Sequence, residues 1–172
     1  MVNPDRFAGA RLQASAFPDD DGSQSPVLAE ALATWRADRS RSADVLRALA
    51  ASRLLVPVVA LLGEVEYDEA GLAHDKSSDM AAVLMKGRDG RLALLAFTGT
   101  EQLGAWNPDA RPVAVPAQVA AQSALQDDAA ALVLDVAGPV TFVVEGDDLV
   151  GLAAGWQLVE VDGRSGWLRP SE

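Results

Sequence analysis

With 25 acidic against 14 basic side chains in 172 residues, a formal charge of −11, this chain presents a surface that repels phosphate. No Lys/Arg stripe with interleaved aromatics offsets that charge, which excludes double-stranded nucleic acid and an anionic membrane surface as partners. There is no cysteine, which removes disulfides, thiolate catalysis and cysteine-based metal sites.

The length suits one domain with a full core, and 49% hydrophobic content makes wholesale disorder untenable. The start, MVNPDRFAGARLQ, lacks the apolar region of a signal peptide. The longest apolar run, LLVPVVALLG, is half a membrane span. A cytoplasmic protein is expected, with no cofactor.

Residues 1–25 are polar and read as an irregular N-terminal arm. The run Asp19-Asp20-Asp21-Gly22-Ser23 lacks the alternating ligands and closing glutamate of a calcium loop. Ser25-Pro26 is a helix start, and Leu28, Leu32 and Trp35 then recur on one face. Ser42 caps a second helix that carries Val45, Leu46 and Leu49. Arg36, Arg39, Arg41, Arg47 and Arg53 make this the one basic region, read as a solvated helix face.

The run from Leu54 to Leu62 is a buried strand, in which Pro57 argues for an edge position or a bulge. A long polar excursion follows. Met80 to Met85 and Leu92 to Phe97 then flank Asp89-Gly90, a hairpin signal. Thr100 is expected to cap a short helix from Glu101 to Trp106, and Pro116 to open another bearing Val119, Ala120 and Leu125. Strands are expected over Ala130–Val136 and Val140–Val144. A helix from Gly146 to Ala154 is closed by Gly155, and Trp156–Val161 makes a last strand. The fold class is α+β, a single domain at 26–161 whose mixed, mostly antiparallel sheet has helices packed on it. Residues 162–172 read as a C-terminal tail.

Several phrases together resemble the SseB family (enhanced serine sensitivity protein SseB, SseB N-terminal domain) in its actinobacterial form. They are LLVPVVALLGE at 54–64, DKSSDMA at 75–81, LLAFTGTEQLGAW at 94–106 and ALVLDVAGPVTFVVEG at 131–146, preceded by FPDDDG. The resemblance implies a small intracellular α/β module, regulatory or protein-binding, and carries over no catalytic residue.

Three stretches invite chemistry. HDKSSDM, at 74–80, holds a histidine, serines and aspartates, but contiguous side chains in one loop diverge and do not assemble a Ser–His–acid triad. His74, Asp75 and Asp79, with Glu64, Glu66 and Glu69 nearby, would make a weak carboxylate-rich metal site, but an acidic solvated loop is the far commoner reading of such a stretch. TGTEQLGAW lacks the lysine of a phosphate-binding loop, so a capped helix start explains it. Long loops in compact domains tend to be functional or mobile. Lys76, Ser77, Ser78 and Asp79, together with Thr98, Thr100 and Trp106, are therefore the expected interaction surface. The expected role is a non-enzymatic module that binds another protein, with self-association through an open sheet edge as a further option. The alternative is a small-ligand or metal-binding protein, or an enzyme, with a pocket between the 64–79 loop and the 98–106 helix start.

Overall fold

A computed structural model describes residues 17–61, 66–67, 73–74 and 79–171, with side chains outside residues 60–80. Among these residues five helices pack on mixed, mostly antiparallel sheets: α1 (Pro26–Ala37), α2 (Ser42–Ala50), α3 (Thr100–Trp106), α4 (Ala117–Gln126) and α5 (Gly146–Ala154). The strands are β1 (Arg53–Leu61), β2 (Glu66–Tyr67), β3 (Ala73–His74), β4 (Asp79–Ala82), β5 (Leu84–Lys86), β6 (Leu92–Ala96), β7 (Arg111–Pro116), β8 (Ala131–Leu134), β9 (Phe142–Glu145), β10 (Gln157–Val161) and β11 (Arg164–Leu168).

Two strand groups, β4-β1-β7 and β5-β6-β8-β9, are joined at Val83. Its N–H donates to the Pro57 carbonyl at 3.1 Å and its own carbonyl accepts from Leu95 N at 3.2 Å, so one bent strand serves β1 first and β6 next. Leu55 and Phe97 also exchange both backbone hydrogen bonds at 2.8 Å. The pair β6 and β8 is parallel; the other pairings are antiparallel.

Of the two expectations for Pro57, an edge position or a bulge, the edge position is overturned, because β1 lies between β4 and β7. Its register explains the tolerance. Pro57 stands opposite Pro112 as a non-hydrogen-bonded pair, so no bond to β7 is lost, and its missing N–H faces Val83, whose carbonyl turns to Leu95 instead. The strand β7 was not anticipated. Its outward-facing positions are Pro112, Ala114 and Pro116, which leaves a single outward N–H, at Ala114, on that edge.

One sheet face carries the main core. Leu28 and Leu32 of α1, Val45, Leu46 and Leu49 of α2, and Leu149 and Leu152 of α5 pack there against Leu54, Leu94, Leu132 and Val144. Trp35 meets Phe142 edge-on at 4.8 Å. The contribution of α4 differs from expectation: Ala117, Ala120, Ala121 and Ala124 are buried, whereas Val119 and Leu125 are exposed. Small side chains let α4 approach the sheet and α5 closely, which the larger ones would prevent. The opposite face packs Leu55, Leu95, Phe97 and Val133 with Leu103 of α3.

The expected C-terminal tail contains a strand. Asp162 and Gly163 adopt φ of 51° and 74°, the geometry of a tight hairpin turn, and β11 returns along β10. Trp167 lies over Gly151 of α5, where an added Cβ would collide with its ring, and its indole N–H donates to Asp148 Oδ1 at 2.8 Å. Among the described residues, no helix is long and apolar enough to cross a membrane.

Candidate functional site

The parallel strands β6 and β8 end side by side, at Ala96 and Leu134. In open α/β sheets the carboxyl ends of parallel strands leave a crevice where ligands gather. Here that end is built around Asp135, the first residue after β8, in a left-handed backbone conformation with φ of 54°. Its N–H donates to the Ala96 carbonyl at 3.1 Å, which turns the carboxylate toward the residues following β6.

Thr98 meets it with two donors, its N–H to Oδ1 at 2.8 Å and its hydroxyl to Oδ2 at 2.7 Å. Both residues are enclosed, Thr98 at 1% exposure and Asp135 at 2%. Burial pushes the Asp135 carboxyl above the ordinary carboxylate range, and the two Thr98 bonds oppose that shift in part.

The arm before α1 closes over this turn. Gln24 Nε2 donates to the Thr98 hydroxyl oxygen at 2.8 Å, and Thr100 N donates to the Gly22 carbonyl at 2.8 Å. Gly99 is required by that approach, since a Cβ there would stand 2.9 Å from Gln24 N. Arg53, opening β1, holds the arm from beneath. Its guanidinium donates to the Thr98 carbonyl at 2.6 Å, to the Ser23 carbonyl at 2.7 Å and to both Asp20 oxygens. The Arg53 hydrogen bonds hold the Asp20 carboxyl below the ordinary range against the opposing cost of burial. Asp20 thus serves an ion pair with Arg53.

Beside this network lies a cavity of about 440 Å³ between α1 and the chain at 135–140. Leu32 and Val140 supply apolar wall, Gln24 and Gln102 supply amides, Asp135 lies at the floor and exposed Arg36 at the mouth. On the other sheet face a smaller groove of about 190 Å³ runs between β1 and the end of α3. Pro57, Val59, Val83 and Trp106 line it, with Asp109 and Arg111 at its rim. The Trp106 ring stacks at a tilt on Phe97, centroids 5.4 Å apart, and Val59 is 49% exposed beside it.

The expected surface residues fall in different places. Lys76, Ser77 and Ser78 lie outside the described residues, as do Asp75, Glu64 and Glu69. Asp79 opens β4 opposite Leu61, and Glu66 and His74 pair across β2 and β3. Thr98 is buried, with its hydroxyl engaged inside the domain. Thr100 is exposed and is the first residue of α3, not its cap; Gly99 takes the cap position, and no side chain bonds there. Trp106 is half-buried at the groove. Asp135, Arg53, Asp20 and Gln24 were missed. The signal for Asp135 was available, since an aspartate directly after the wholly apolar ALVL stands at a strand's carboxyl end.

No curated protein and no solved structure matches the chain. The family model described as SseB protein N-terminal domain matches residues 28–150, which takes in β1, both parallel strands, Asp135 and most of α5. This chain therefore belongs to the SseB N-terminal domain family.

Proposed function

We propose that this chain is a non-enzymatic intracellular module that binds another protein through the groove between β1 and α3. The observation that supports it is Trp106, set on Phe97 and lining an open groove of mixed polar and apolar surface next to exposed Val59. A rigid aromatic flanked by aliphatic groups and rimmed by charges is the composition of a binding hot spot. From the groove residue Val59, β1 runs on to Leu61, which pairs with Asp79 where the 64–79 excursion ends. Asp109 and Arg111 would set the register of a partner segment with charges of both signs.

Capture from the native host with the wild-type chain and with Val59→Glu or Trp106→Ala variants tests this, provided recovered partners are then purified and titrated. Loss of affinity in both variants supports the groove. Undiminished affinity in both removes it. A second reading, a small-ligand protein, draws on the 440 Å³ cavity beside Gln102.

A further inference from the structure

The cavity between α1 and residues 135–140 has an arrangement of charge that a general surface hollow lacks. Asp135 at the floor is 2% exposed, and Thr98 occupies one acceptor direction on each of its oxygens. A carboxylate offers about four acceptor directions, so capacity remains for a further donor. Arg36, in the last turn of α1, is exposed at the mouth, and among the described residues no carboxylate pairs with it. A buried carboxylate and an exposed guanidinium thus line one hollow together with apolar Leu32 and Val140 and the Gln24 and Gln102 amides. The volume of about 440 Å³ lies in the range of small-molecule sites.

We propose that this cavity binds a zwitterion with an apolar side chain, a free apolar amino acid or a dipeptide. Its ammonium group would face Asp135 and its carboxylate Arg36. A simple anion would meet the Asp135 charge at the floor, and a simple cation would meet Arg36 at the mouth; a zwitterion satisfies both. The apolar wall selects an aliphatic or aromatic body over a small polar one, because polar side chains would lose hydration there without a replacement partner. The partner-binding groove lies on the other sheet face, so this site stands or falls independently of it.

Titration calorimetry with phenylalanine, leucine and the dipeptide Leu-Leu tests the proposal. Binding by at least one is expected, and the arms distinguish an amino acid from a peptide. N-acetyl-leucine and leucinamide each lack one charge, and both are expected to bind at least tenfold more weakly than their parent. Arg36→Gln and the cavity-filling Ala33→Trp alter exposed α1 positions, and each is expected to weaken binding at least tenfold with the thermal unfolding midpoint preserved. Absence of heat with all three probes at millimolar concentration overturns the site. Equal binding of the acetylated or amidated forms overturns the assignment of a zwitterion.

Discussion

The Asp135 carboxylate accepts from both the backbone and the hydroxyl of Thr98, at 2.8 and 2.7 Å, and so ties the ends of the two parallel strands together. Neither residue reaches solvent to any useful extent. Thr98→Val keeps the shape but removes the hydroxyl donor and leaves part of a buried carboxylate unmatched, at a cost of about 2–3 kcal/mol. Thr98→Ser restores the donor and should recover most of that loss. Denaturant unfolding of the pair of variants measures the difference.

The Asp20–Arg53 pair gives a pH signature. A carboxyl whose folded pKa lies below its unfolded value of about 3.8 contributes stability above that value, lost as pH falls through the folded pKa. Asp20→Asn should therefore cost about 1–3 kcal/mol near neutrality, and the difference from wild type should close below roughly pH 4. Thermal midpoints across pH 2–7 read this directly. Asp135 has the opposite sign. Its raised pKa makes its contribution greatest below the unfolded value, and that contribution declines as pH rises through the folded one.

Gly151 admits the Trp167 ring against α5. Gly151→Ala would gain about 1 kcal/mol in helix propensity but pushes a methyl into the indole. The expected outcome is release of the β10–β11 hairpin, seen as red-shifted tryptophan emission and new protease cleavage within 157–168. Trp167→Ala should release it as well, and the double variant should add little, because both remove one contact.

Pro112 and Pro116 blunt the outer edge of β7. Replacing both with valine supplies two outward N–H groups on a β-branched edge, so self-association should rise. Light scattering over a concentration series would show a higher apparent mass for the double variant than for the wild type.

Much of this architecture is written in hydrophobic pattern, and its exceptions have physical causes. The leucine stripes of α1 and α2 and the apolar blocks of β1, β6 and β8 carry their periodicity openly. The strand β7 was hidden because RPVAVP contains two prolines, which normally disqualify a strand and here serve an edge. On α4 the larger residues Val119 and Leu125 suggested the buried face, whereas close packing selected alanines. In β11 the polar RSGWL masked an edge strand whose turn, Asp162-Gly163, was legible. The site was legible only in part. Trp106 and the Thr98 turn drew attention by their place beside a helix, although Thr98 is buried rather than on the surface, and the joining of Asp20, Gln24, Arg53 and Asp135 spans distant parts of the chain, which no local pattern records.

The most direct test of the central claim is the affinity of a purified host partner for the wild-type chain and for Val59→Glu, with Arg164→Glu on the distant hairpin as control. A charge on the groove floor should weaken binding at least tenfold, while the hairpin variant binds as wild type. Equal affinity of all three proteins, or no partner recovered from the host, would contradict it.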